Sequence, residues 1–149
     1  MSKSKTNPEK HTLYALLCDT YVLALKTHAA HWNVTGPSFH GLHLAFDAHY
    51  TELTAAADIL AERLRALQHP APSGMQELLS HSSIEPAIPG TDGVLLAKTL
   101  AKDHRKIASG CQKAADHAEE AGDSATADLL IGRIEEHEKT AWMLEATAA

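Results

Sequence analysis

The stretch "THAAHWNVTGPSFHGLHLAFDAHYTELTAAADILAERL", residues 27–64, decides how this chain is read. It holds five histidines and four carboxylates on what otherwise looks like the apolar face of two helices. Gly36 and Pro37 interrupt the helical pattern inside "NVTGPSF", and Ser38 is placed to cap the next helix. The spacing predicts a helical hairpin: one segment from about Pro8 to Trp32, a tight turn, and a second from Phe39 to about Leu67.

Beyond the hairpin, the second segment ends at "HPAPSG", and a short apolar piece, "MQELLS", comes next within a long connection. "PAIPGTDG" leads into a third segment from about Val94 to Glu120. "AGDSATAD" is a tight break before a fourth, from about Ser124 to Leu144. Leu96, Leu100, His104, Ile107, Cys111, Ala114 and Ala118 recur at three- and four-residue steps, as do Leu130, Ile134, His137 and Ala141. Such stripes imply a packed all-α bundle, with His104 and His137 expected as hydrogen-bonded core histidines. Short outer turns around one long central connection give the topology of a ferritin-like bundle rather than of a simple up-and-down one.

Composition narrows the function classes. At 149 residues the chain is one domain in size, with residues 1–8 expected as a flexible tail and 9–149 as the folded unit. No stretch is apolar for long enough to cross a bilayer, and "MSKSKTNPEK" lacks the apolar segment of a secretory signal, so a cytoplasmic location is expected. Cys18 and Cys111 sit in apolar runs away from any CxxC pattern and read as reduced core thiols. A formal charge of -6 argues against a broadly basic nucleic-acid surface, so any attraction to DNA has to be local.

The second helical segment carries the chemistry. His43 and Asp47 are four residues apart, as are Asp58 and Glu62, and all four fall within roughly a 100° sector of one helix. Yet Asp47 and Asp58 are separated by about 16 Å along the axis. Ligand atoms must lie within about 2.0 to 2.6 Å of an ion, so one copy of the helix cannot close one site. Either there are two incomplete sites, or a second copy supplies the missing half. An antiparallel two-fold pairing near Glu52 and Leu53 would set His43 and Asp47 of one chain opposite Asp58 and Glu62 of the other. Small residues Ala55, Ala56, Ala57 and Ala61 would let the backbones approach, and the turn brings His31 beside His43. Two imidazoles and three carboxylates without thiolate suit iron, with manganese or zinc as competitors.

At these residues the chain resembles a known family. "HWNVTGPSFHGLHLAFDAHY", "AADILAERLRAL", "SSIEP" and "HEKTAWML" are similar to the Dps mini-ferritins, the DNA-binding proteins from starved cells, and the likeness spans nearly the whole sequence. The resemblance implies a four-helix subunit with a short extra helix in the connection between the second and third helices, assembled as a hollow homo-dodecamer of tetrahedral symmetry. It implies oxidation of Fe(II), with hydrogen peroxide preferred to oxygen, at sites on the dimer two-fold, and storage of the ferric mineral inside. Carried over residue by residue, the ligands are His31, His43 and Asp47 of one subunit with Asp58 and Glu62 of its neighbour. Trp32 matches the family's aromatic residue beside the site, as an electron donor or a packing residue.

Further features stay open at this level. His28, His40 and His49 flank the ligands, and His28 or His40 could serve a second metal position or only packing. No Glu is followed by His three residues later, which argues against a metal centre within one bundle. Asp123 and Asp128, near Glu119 and Glu120, are candidates for an acidic pore through which iron enters; helix capping competes for Asp123. Lys3, Lys5 and Lys10 are candidates for nonspecific DNA contact, repeated around an assembly. Two function classes result: a ferroxidase storage cage that spares DNA from oxidative damage, or a structural shell that condenses DNA or sequesters zinc or manganese without turnover.

Overall fold

The computed structural model describes residues 8–149, with side chains described from residue 13. Lys3 and Lys5 lie outside the described residues, and Lys10 falls in the first turn of a helix with its side chain outside them. Five helices follow one another: α1 (Pro8–Asn33), α2 (Phe39–Ala66), α3 (Met75–His81), α4 (Gly93–Glu120) and α5 (Ser124–Ala148). This is the all-α ferritin-like arrangement, with the short α3 inside the long crossover. The last helix runs four residues past the expected Leu144, because "EATA" contains no residue that stops a helix.

Three junctions set the register. After α1, Gly36 takes a left-handed φ of 106° to turn the chain. The start of α4 docks on that turn: Thr35 N–H donates to Thr91 O at 2.8 Å and Gly93 N–H to Thr35 O at 3.1 Å. A Cβ on Gly93 would lie 2.9 Å from Leu42 Cδ1, so a larger residue there would require the Leu42 side chain to shift. The crossover therefore runs the length of the bundle, and α4 starts at the same end as α2. Ser38 occupies the N-cap position of α2, but its side chain makes no capping bond there, contrary to the expectation from sequence. The α4–α5 turn closes with Asp123 N–H donating to Ala118 O at 2.8 Å around Gly122, whose φ is 76°.

The core is continuous and aliphatic, with Leu13, Leu23, Phe46, Leu53, Leu60, Leu96, Leu100 and Leu130 fully buried. Cys18 and Cys111 are free and buried, as read from sequence, and burial pushes their thiols up to about 11 and about 12. Such thiols are packing groups, not nucleophiles. Two polar ties cross the core. Lys26 on α1 pairs with Asp103 on α4 at 2.7 Å. Buried Asp19 accepts from Ser82 Oγ at 2.8 Å and Ser83 N at 2.7 Å, so the "SSIEP" segment anchors the crossover to α1.

Candidate metal centre

The end of α1 and the start of α2 hold each other through two histidines. His31 Nδ1 donates to His43 O at 2.6 Å, and His43 Nδ1 donates to His31 O at 2.8 Å. A carbonyl oxygen can only accept, so each ring carries its proton on Nδ1 in this arrangement. Both Nε2 atoms are thereby left with a lone pair to give, the orientation that metal-ligating imidazoles usually have. The two rings stack at 4.0 Å, and Phe39 stacks on His43 at 5.2 Å. Asp47, exposed, stands one helical turn beyond His43.

Asp58 and Glu62 are also exposed, but toward the other end of α2. Because α2 is unbroken from Phe39 to Ala66, the separation of about 16 Å is preserved. One subunit thus carries two separated half-sets: the His31 imidazole of α1 with His43 and Asp47 of α2, and the Asp58 and Glu62 carboxylates farther along α2. Among the described residues, no three histidine, cysteine or carboxylate side chains of one subunit are grouped to hold a metal ion.

The surface around the half-sets is apolar. Tyr21, Leu25 and Trp32 of α1, Leu44 and Ile59 of α2, and Met75 and Leu79 of α3 are exposed. Clustered large apolar side chains of this kind mark an association surface rather than a wet face. Trp32 lies 4.3 Å from His28, ring to ring, and His28 stacks on Tyr50 at 3.8 Å with planes only 10° apart. His28 therefore sits in an aromatic column, while His40 is exposed on the first turn of α2. Tyr50 escaped the sequence reading, since nothing local links it to a residue 22 positions earlier.

The acidic turn is not uniform. Asp123 caps α5, accepting from Thr126 N at 3.1 Å and Thr126 Oγ1 at 2.5 Å, and it pairs with Arg63 at 2.8 Å. Asp128 is exposed. Elsewhere, the core histidines are paired more tightly than their stripes implied. His104 Nδ1 and His137 Nδ1 are 2.8 Å apart, and Arg133 bonds both His137 and Glu52. His104 Nε2 is buried with no partner, which departs from the expectation of full hydrogen bonding. Burial, with neighbouring positive or titratable groups adding to it, pushes His104 down to about 3 and His137 down to about 2, so both rings are neutral.

The comparisons with known proteins agree with this architecture. The model of the ferritin-like domain matches residues 10–149. The DNA protection during starvation protein 2 of Bacillus anthracis is 37% identical, covering 87% of this chain and 89% of its own. The corresponding protein of Brevibacillus brevis is also 37% identical, over 84% of each. Among solved structures, a Dps protein from Bacillus brevis superposes with a TM-score of 0.93 at 33% identity, covering all of both chains. Dps from Staphylococcus aureus gives 0.93 at 28% identity over 97% of each. The chain belongs to the Dps family of the ferritin-like superfamily.

Proposed function

We propose that this protein oxidises Fe(II) at sites shared between two-fold-related subunits and stores the ferric product in a hollow homo-dodecamer. The observation that carries this reading is the complementarity of the two half-sets. The His31 and His43 imidazoles, with Nε2 lone pairs free, and Asp47 need further donors. Asp58 and Glu62, exposed on the same helix about 16 Å away, supply them from a neighbour turned end for end.

Iron is the substrate, and the residues divide the work. The imidazoles fix the position of Fe(II), because their Nδ1 bonds to backbone carbonyls lock both rings. The carboxylates favour the ferric state through their charge. Two ferrous ions brought together can give two electrons to one peroxide molecule, which takes up two protons and leaves as two waters. Paired donation avoids the one-electron step that would release hydroxyl radical. The preference for peroxide over oxygen follows the family resemblance. Trp32, exposed beside His31 and packed on His28, is suited to quench an oxidising equivalent that escapes pairing. Removal of Fe(II) and peroxide together accounts for protection of DNA; contact through Lys3, Lys5 and Lys10 adds nonspecific, salt-sensitive binding.

Iron enters most simply past Asp128, whose carboxylate is exposed, whereas that of Asp123 is occupied by its cap and by Arg63. The decisive assay follows Fe(II) oxidation by peroxide in wild type, Asp58→Ala and Glu62→Ala. Both variants are expected to fall to the rate of iron in buffer. Unchanged rates, with zinc or manganese still bound, would favour a sequestering shell instead.

A further inference from the structure

His28 belongs to neither half-set, yet its ring is the junction of the aromatic side chains beside them. It faces His31 at 5.8 Å, with planes 16° apart, and Trp32 at 4.3 Å. It also lies flat on Tyr50, at 3.8 Å and 10°. Among the described residues, Tyr50 meets no ring but that of His28, so the column ends there. An electron drawn toward the half-set at the α1–α2 turn, through His31 or through Trp32, therefore has His28 as its last ring before Tyr50.

The three ring types differ in how readily they give up an electron. Indole and phenol do so most easily among side chains, whereas imidazole holds its electrons more tightly and carries one across without keeping the charge. Electron transfer weakens exponentially with distance, and here a single ring in flat contact separates Trp32 from Tyr50. Trp32 is 64% exposed, so an indole radical there is open to attack from solvent. Tyr50 is half-buried and packed against the aliphatic core. Its hydroxyl also carries a proton that can leave on oxidation, which gives a neutral radical and makes transfer from an oxidised indole downhill.

We propose that Tyr50 is a one-electron donor that draws stray oxidising equivalents inward from Trp32, across the His28 ring. The proposal rests on the iron-oxidising reading and adds to it a residue outside the ligand set. A Fe(II) ion that meets peroxide alone gives it one electron, and the O–O bond breaks into hydroxide and a hydroxyl radical. One electron from Trp32 converts that radical to hydroxide and leaves an indole cation radical. Tyr50 then passes one electron through His28 to the indole and its phenol proton to water, ending as a neutral phenoxyl radical. The electron of a later Fe(II) and a proton from water restore the phenol. His28 is a positioning residue in this scheme: its flat contact with Tyr50 carries the electron, and neither of its nitrogens gains or loses a proton.

The test uses the assembled full chain with Trp142→Phe, which leaves Trp32 as the only tryptophan. Azide radical made by pulse radiolysis oxidises the indole without iron, and visible absorption follows the indole and phenoxyl radicals. First-order conversion of one into the other, independent of protein concentration, is expected. Tyr50→Phe and His28→Leu should each abolish it, and His28→Phe, which keeps a flat ring, should retain it. Absence of conversion in the parent, or conversion that persists in Tyr50→Phe or in His28→Leu, overturns the proposal. A second arm mixes Fe(II) and peroxide with wild type and Tyr50→Phe, and freeze-quench EPR identifies the radical. A phenoxyl spectrum in wild type, replaced by an indole spectrum in Tyr50→Phe, is expected. Iron oxidation with the same radical spectrum in both chains, or with no protein radical, also overturns the proposal. If wild type oxidises no Fe(II), the reading of function fails, and the azide arm alone decides whether Tyr50 supplies the electron.

Discussion

Two pairs of histidines in this molecule make opposite use of the same side chain. His31 and His43, at the α1–α2 turn, spend their Nδ1 protons on each other's backbone carbonyls and keep Nε2 available. His104 and His137, in the bundle interior, spend their Nδ1 atoms on one another and His137 Nε2 on Arg133, and His104 Nε2 is buried without a partner. The first pair is fixed by main chain and open outward; the second is fixed by side chains and closed inward. Binding capacity in this fold is therefore set by what holds the other ring nitrogen, more than by how many histidines stand together.

The largest expected effect on that contrast comes from acid. His104 and His137 are held neutral, at about 3 and about 2, against an ordinary value of 6.5. Between 6.5 and those values the unfolded chain binds more protons than the folded one. Stability is then full above pH 6.5 and falls as the pH drops toward 3, by up to about 1.4 kcal/mol per pH unit for each ring. Thermal melts across this window would record the slope, and His104→Leu with His137→Leu should flatten it. A slope of unchanged size in that double variant would mean that the interior pair is not the acid-sensitive element.

A smaller effect is expected at the cation that closes the interior. Arg133→Met strands His137 Nε2 and Glu52, at a cost of about 2 kcal/mol, reduced from the fully buried case because Glu52 is partly open to solvent. Denaturant melts would measure it. The smallest effect extends the contrast to the acidic turn, where Asp123 is committed and Asp128 is exposed. Asp123→Ala should lose about 1 kcal/mol of capping energy. Asp128→Asn should leave the melt unchanged and slow iron uptake instead. Reversal of those two outcomes would place the route for iron elsewhere.

Much of this was legible in the sequence, for reasons that residues make plain. Gly36–Pro37, "HPAPSG" and Gly122 stop helices by backbone chemistry that acts locally, so the four long helices could be placed from their breakers, whereas the short α3 read only as an apolar piece until the family resemblance implied a helix there. The α2 members of the half-sets were legible because helical periodicity fixes both the shared face and the distance between ligands. The His31–His43 tie was only half legible: the turn brings the residues side by side, but the exchange of carbonyl bonds is a three-dimensional detail. Arg133 was not legible. A lone arginine between Gly132 and Ile134 reads as a solvated charge, and its partner Glu52 is 81 residues away. Likewise, a stripe says that His104 and His137 face inward, and not which nitrogen meets which group.

The central claim is that each iron site draws its ligands from two chains, and complementation tests it most directly. His43→Ala and Asp58→Ala subunits would be prepared separately, then co-assembled, and Fe(II) oxidation by peroxide followed in all three preparations. Each parent should be inactive. In a mixed dimer, one site collects both defects and the other collects none, so random co-assembly should recover about a quarter of the wild-type rate. Recovery at that level is the predicted result; co-assembled shells as inactive as their parents would contradict a site shared between subunits.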